Sequence, residues 1–577
     1  MPTRPDLRIA SLRRDYLAGR RTPRGVLAEI LARIPQHADD HIFIHALSAA
    51  ELEPYLAALD GRDPASLPLY GVPFVIKDNI DLAGVPTTAA CPAFAYQPVE
   101  SAQVVARLIA AGALPVGKGN LDQFATGLVG ARSPYGATRN AYNPDYVSGG
   151  SSGGSAVAVA HGLASFSLGT DTAGSGRVPA AFNALVGVKP SKGLLSTRGV
   201  VPACRSLDCV SIFALDTADA DAVLAVAAGF DAADAYAREL PLAAADTPPR
   251  FRFGVPAAAQ LEFCGDEEMP ARFAAAVAQM VAAGGEAVTI DFTPFAEAAR
   301  LLYEGPWVAE RYAAIEDFIR SQPQALLPVT RAIIEPGGQL GAVAAFKAQY
   351  RLLELKRQAD AILAGVDFIL TPTAPRAYRL AEVDAEPIRL NSNLGLYTNF
   401  MNLLDYAALA VPGEGLLSSG LPWGVTLFAA AGSDRRLLAF GARFAAAAPP
   451  SIELLVCGAH LSGLPLNHQL TERGATLLSA TRTAPHYRFY ALAGGPPLRP
   501  GLIRDEANGA AIEVEVWSMP LAELGSFVAG IPAPLGIGSV ELADGRWIKG
   551  FICEGHIVTS ATDITACGGW RAYLASR

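Results

Sequence analysis

The chain has 577 residues, 51% apolar and 18% charged, enough for a large buried core and inconsistent with disorder. Its net charge of −9 argues against nucleic acid or an anionic membrane as the main partner, because both recruit basic surfaces, but leaves room for a small anionic substrate. Seven cysteines at irregular spacing, with no CxxC pair, argue against a zinc site and suit reduced thiols in the cytoplasm; no metal and no cofactor are expected.

Taken in order, the N-terminal segment MPTRPDLRIASLRRDYLAGRRTP lacks the apolar core of a secretory signal, and no window reaches the roughly 18 apolar residues of a membrane helix. Residues 8–35 carry Leu, Ile and Val at helical spacing with Arg opposite, which predicts one or two amphipathic helices. From Leu69 onward, β-rich runs (LYGVPFVIKDNI, ALPVGK) alternate with helix-like runs (SAQVVARLIAAG, SAVAVAHGLA). That alternation, continued by VDFILTPTAP and GLPWGVTLFA, predicts an α/β fold around a mixed or mostly parallel sheet flanked by helices. Residues 230–250, rich in Ala, Asp and Pro, read as a surface connection. At 445–453 two prolines stop a helix-like run. We therefore expect a catalytic domain over 1–450 and a smaller α+β domain, strong in β, over 454–577.

Chemistry concentrates in residues 148–179, SGGSSGGSAVAVAHGLASFSLGTDTAGSGRVP. Two Gly/Ser clusters flank an apolar stretch, so the backbone can approach a ligand and aim N–H groups at it. GALPVGKG imitates a phosphate loop, but Gly119 stands where a magnesium-binding Ser or Thr belongs and Pro115 interrupts it; it reads as a strand and a turn. A serine here needs a base. Before residue 452 the histidines are His37, His41, His45 and His161, and no G-x-S-x-G elbow is present, so a Ser–His–Asp site fits poorly. Lys77 ends the apolar run GVPFVIK; burial at a strand end would lower its pKa and provide a neutral amine, although a lone lysine is more often a surface cation.

Together, PFVIKDN (73–79), GGSSGGSA (149–156) and GTDTAGSGR (169–177) resemble the three catalytic stretches of the amidase signature family, with Ser175 placed 24 positions after Ser151. The resemblance covers roughly residues 60–445 and implies the fold of that family. It also implies a Ser–Ser–Lys triad: Ser175 attacks an amide carbonyl, Ser151, on a cis peptide, relays the proton, and neutral Lys77 is the base. Backbone N–H groups of Thr172, Ala173, Gly174 and Ser175 become the candidate oxyanion hole. Ser152, Asp171 and Arg177 read as loop supports, and Gln123 stands where many family members carry an acid.

NLDQFATGLVGARSPYG, LGLYTNFMNLLDYAALAVP, GLPWGVTLFAAAGSDRRLL and the tail segments VCGAHLSGLPLNHQL and YRFYALAGGPP narrow the resemblance to the allophanate hydrolase branch. That implies loss of ammonia from allophanate, a small anion, leaving N-carboxycarbamate that decarboxylates, in urea or triazine breakdown. Tyr303, Arg311 and Gly130 resemble the substrate-binding set, with Arg311 able to grip a carboxylate; the alternative for Arg311 is a helix-surface salt bridge. In the tail, His460 and His486 are the favoured titratable candidates, followed by His468 and by His556 near Glu554. The resemblance further implies a homodimer and a functional link to a biotin-dependent urea carboxylase. Other readings stay open: a different small-molecule amidase, a non-catalytic scaffold, or one chain of an amidotransferase, whose need for a basic tRNA-facing surface the acidic balance disfavours.

Overall fold

The computed structural model describes residues 5–242, 247–447 and 451–577. The expected surface connection and the 445–453 break thus fall partly outside the described residues, as do the first four residues. Among the described residues, no helix is long and apolar enough to cross a membrane.

Two compact units emerge. The larger comprises Pro5–Gly413 and Pro422–Ala447. Its centre is a sheet of β1 (Phe43–Ala46), β2 (Pro73–Lys77), β3 (Leu114–Gly119), β4 (Phe166–Thr170), β5 (Val186–Lys189), β6 (Val210–Ala214), β7 (Phe251–Pro256), β8 (Gly285–Ile290), β9 (Phe368–Pro372), β10 (Tyr406–Pro412) and β11 (Gly424–Ala430). The spatial order is β1-β3-β2-β4-β6-β5-β10-β11-β9-β7-β8. β2 runs parallel to both β3 and β4, whereas β4–β6, β5–β6 and β10–β11 are antiparallel, so the sheet is mixed, as expected. β2, β3 and β4 are buried along their whole length, which suits strands covered on both faces. The Phe74 and Phe166 rings stack across β2 and β4 at 5.1 Å.

The helix Gly153–Ala160 is buried at every position, and its residues are small and, apart from Ser155, without polar side chains for that reason. Ser155 Oγ donates to the Leu168 carbonyl (2.9 Å) and Ser167 Oγ to the Ser155 carbonyl (2.8 Å), which locks this helix to β4. The N-terminal pattern resolves into two helices, Ile9–Leu17 and Pro23–Arg33. GALPVGK ends in β3, and its Lys118 is buried in an ion pair with Asp78 at 3.0 Å, not in a phosphate loop.

The smaller unit holds Glu414–Leu421 and the described residues from Ser451 onward. It contains a five-stranded sheet and a three-stranded sheet. The first is ordered β13 (Thr476–Arg482), β16 (Glu513–Pro520), β12 (Ser451–Val456), β18 (Trp547–Cys553), β17 (Leu535–Glu541). The second is ordered β15 (Pro500–Arg504), β14 (Tyr487–Ala491), β19 (Thr562–Asp563). Helices such as Leu521–Ala529 and Trp570–Ala575 add the α component. Its core gathers Leu454, Val516, Trp517, Phe489 and Trp570, independent of the large sheet.

Candidate active site

Lys77 and Thr170 are the last residues of the neighbouring parallel strands β2 and β4, and side chains at the carboxyl ends of such strands converge. Lys77 Nζ donates to Ser151 Oγ and to Thr170 Oγ1, both at 2.7 Å. Ser151 follows a cis Gly150–Ser151 peptide and precedes the buried helix 153–160. Ser152 Oγ donates to the Thr170 carbonyl at 3.1 Å, which ties this turn to the end of β4.

Burial is the dominant influence on Lys77 and brings its pKa down from 10.5 to about 7. Asp122, Asp208 and Asp171 oppose that shift and Arg311 adds to it. An amine poised near neutrality is half deprotonated at pH 7 and can take a proton, which an ordinary lysine cannot.

The chain leaves β4 through residues 171–177 before the short helix Val178–Phe182. Asp171 organises this loop. It accepts from Arg177 Nε and Nη2 (both 2.9 Å), from Gly174 N–H (2.7 Å) and from Gly176 N–H (3.0 Å), and both charged side chains are fully buried. Burial works to raise the Asp171 pKa, yet Arg177 and the donors outweigh it and hold the carboxyl low. Gly174 has φ of +138°, and a Cβ there would strike Thr398, so glycine is required. Ser175 is buried in this turn, and among the described residues its hydroxyl makes no hydrogen bond to Ser151. The structure therefore joins Lys77 to Ser151 directly.

One sequence expectation needs correction. Gly174 N–H is engaged by Asp171 Oδ1, so it is not a free oxyanion donor; among the described residues the N–H groups of Thr172, Ala173 and Ser175 have no protein acceptor. Gly130 (φ +74°) donates its N–H to Asp122 Oδ2 and accepts at its carbonyl from Thr138, and a Cβ there would strike Ser148 and Gly149. Close backbone packing therefore requires glycine here.

Tyr303 and Arg311 do come together. Arg311 Nη2 reaches Tyr303 Oη at 3.4 Å and its guanidinium carbon lies 5.5 Å from that ring centre. Tyr303 packs on a cluster containing Ala173 of the loop that carries Ser175. Arg311 is 3% exposed and, among the described residues, forms no ion pair; its other contacts are the neutral Ala125 carbonyl and Thr126 Oγ1. Burial works against its charge, but Tyr303, Cys204, Asp208 and Glu310 raise its pKa, so it stays cationic. The helix-surface salt bridge is thereby ruled out. Gln123 bridges loops instead of acting as an acid: its Oε1 accepts from Leu327 N–H at 2.7 Å.

Sequence reading missed Asp122, Asp208 and Asn402. Asp122 accepts from the N–H groups of Val129, Gly130 and Arg132, and sits against Gly150. Asp208 accepts from Thr172 Oγ1 (2.6 Å) and from the N–H groups of Ala203 and Cys204, and burial raises its pKa. Asn402 Nδ2 donates to the carbonyls of Asp171 and Thr172. All three serve loop backbones, and no spacing rule marks such residues.

Comparison with known proteins decides the family. Residues 26–438 match the family described as Amidase. The chain belongs to the amidase family. This amidase is an enzyme of the amidohydrolase type, and its residues 452–575 match the allophanate hydrolase C-terminal domain. Urea amidolyase of Saccharomyces cerevisiae is 44% identical over 575 residues, covering 93% of this chain and 31% of that protein. The chain spans about a third of the length of the curated urea amidolyases it matches. A solved Kluyveromyces lactis allophanate hydrolase is 42% identical, with a TM-score of 0.72, covering 98% of this chain and 99% of that one. One chain of the glutamyl-tRNA(Gln) amidotransferase of Synechococcus sp. is 34% identical, covering 73% of this chain and 92% of that protein.

In the smaller unit, His460 lines a small pocket together with Gln469, Arg499, Phe527 and Phe551. Its Nε2 meets Gln469 Oε1 at 3.0 Å and its ring stacks on Phe551 at 5.1 Å. Burial lowers its pKa against the opposing pull of Gln469. His486 is not among the residues lining this cavity; His468 meets the Pro465 carbonyl, and His556 pairs with Glu554 at the surface. His460, and not His486, thus lines this pocket.

Proposed function

We propose that this amidase hydrolyses allophanate, using Ser175 as nucleophile, Ser151 as proton relay and Lys77 as base. The observation that carries the substrate assignment is Arg311, a buried cation that forms no ion pair among the described residues and whose neighbour Tyr303 packs on the cluster holding Ala173 of the loop of Ser175. A buried guanidinium is poorly tolerated without an anion, and allophanate brings one. Water attack on the acyl-enzyme would leave N-carboxycarbamate after ammonia departs, and a urea-carboxylating activity would supply the substrate. The deciding experiment measures ammonia from allophanate, malonamide and acetamide. Turnover of allophanate alone supports the assignment; turnover of the simple amides alone overturns it.

Arg311→Gln should lower kcat/KM for allophanate by about 10- to 100-fold, the worth of a charged hydrogen bond, and leave any residual acetamide turnover unchanged. Equal losses on both substrates would refute a carboxylate-binding role.

We further propose that the chemistry is divided between residues 1–450 and 454–577, with His460 acting in decarboxylation of N-carboxycarbamate. Arg499 in the same cavity suits a dianionic ligand. His460→Ala should leave the initial ammonia release unchanged while slowing carbon dioxide release, followed in parallel on one sample. Unchanged carbon dioxide release would sink the role.

A further inference from the structure

His37 and His161 lie far apart in the sequence and neither belongs to the catalytic chain, yet the fold brings their imidazoles to 4.0 Å between centroids, tilted by 32°. Both converge on one carboxylate oxygen. Asp40 Oδ2 is 3.0 Å from His37 Nδ1 and 3.5 Å from His161 Nε2, and the three ligand atoms all lie within 4.8 Å of one another. Tetrahedral zinc, with bonds of about 2.0–2.2 Å, sets adjacent ligand atoms roughly 3.3–3.4 Å apart. The two measured separations bracket that value. We propose that His37, Asp40 and His161 form a structural site for a divalent transition metal ion of the zinc, cobalt or nickel class.

Local structure explains the arrangement. His37 and Asp40 are three apart in the segment Ile34–Asp40, whose 3₁₀ turns are broken by a kink at His37 (φ −115°, ψ 23°), and His37 Nδ1 turns onto Asp40 Oδ2 there. His161 follows the last residue of helix 153–160, and its N–H closes the helix on the Val157 carbonyl. The C-terminal end of a helix favours positive charge. Arg33 holds the backbone from beneath, donating to the carbonyls of His161 (2.9 Å) and Gly162 (3.0 Å). The Asp40 carbonyl accepts from Arg139 N–H at 3.2 Å, which fixes the third ligand's backbone. The His161 side chain is 6% exposed, while His37 and Asp40 are 18% and 21% exposed, so an ion can enter from solvent and water can fill the fourth position. Two imidazoles and one carboxylate select zinc, cobalt, nickel or copper over magnesium and calcium, which prefer all-oxygen shells.

An ion here would fasten the N-terminal segment 34–40 to the far end of the helix that begins just after Ser151 and Ser152. It is a clamp on the scaffold, not a part of the hydrolysis.

The test is a Co²⁺ titration of the purified 577-residue chain, followed by visible absorption, beside His37→Ala, His161→Gln and Asp40→Asn, with each variant's fold checked by circular dichroism. We expect one Co²⁺ per chain, tetrahedral d–d bands without a thiolate charge-transfer band, and affinity at least tenfold weaker in each variant. Zn²⁺ should displace the Co²⁺ and raise the Tm of the wild type but not of His37→Ala. If Co²⁺ gives no tetrahedral band, or binds wild type and His37→Ala alike, the cluster is a hydrogen-bonded triad and the proposal fails. His37 is partly exposed, so that variant decides the matter even if His161→Gln does not fold.

Discussion

Ser175→Ala should lower kcat on allophanate by about 10⁵- to 10⁶-fold, and Lys77→Met should do nearly the same, because members of a proton-transfer chain act as a unit and their losses do not add. The double variant is therefore expected to be no worse than either single one. The two differ in stability. Lys77 has its pKa brought from 10.5 to about 7 by burial, so between those values the unfolded chain binds a proton that the folded chain does not. Wild-type stability should accordingly rise from pH 7 to about 10.5, and the burden of the buried amine is greatest below pH 7. Methionine fills a similar volume without a charge. Lys77→Met should therefore be at least as stable as wild type at pH 7, and the difference between them should shrink as pH rises. Urea midpoints at pH 7 and pH 9 measure this; a variant less stable at both would mean that the contacts to Ser151 and Thr170 outweigh burial. For the wild type, kcat/KM should climb through an apparent pKa near 7 and level off above it. A profile flat from pH 6 to 9 would remove Lys77 as the base.

Asp171→Ala is the second large effect, and it falls on stability. The substitution leaves Arg177 buried without its carboxylate and strips the acceptor from Gly174 and Gly176 N–H. Removing one partner of a buried ion pair costs about 3–5 kcal/mol. Because that loop carries Ser175, activity should fall along with stability. Arg177→Met should cost less, since Asp171 keeps its two backbone donors. The sign with pH follows from the lowered Asp171 pKa: the stabilisation is present above the ordinary aspartate pKa, near 3.9, and is lost as pH falls toward the lower folded value. Acid unfolding of wild type and Asp171→Ala should converge below that range. If Asp171→Ala unfolds within about 1 kcal/mol of wild type at pH 7, the pair does not hold the loop.

Much of this enzyme was written in short stretches of the sequence. The alternation of β-rich and helical runs gave a helix-flanked mixed sheet, because hydrophobic period is a local property. PFVIK read as a buried strand ending in a lysine because five apolar or terminal positions suffice to say so. The Gly/Ser clusters announced a backbone approach, and their spacing named the family.

What the sequence could not decide is anything that depends on which loops meet. Gly174 and Gly130 looked available as ligand-binding positions, yet Asp171 and Asp122 occupy their N–H groups. Arg311 could have been a surface cation; only the packing of its helix shows it buried and, among the described residues, without an ion pair. Lys77 owes its neutral-range pKa to complete burial together with the placement of Asp122, Asp208, Asp171 and Arg311, which come from four separate parts of the chain. His37 and His161 gave no hint of each other until a 3₁₀ turn and a helix end brought them to one carboxylate. The physical reason is the same in each case: periodicity and propensity act over a few residues, whereas desolvation, charge pairing and hydrogen-bond satisfaction are set by neighbours in space.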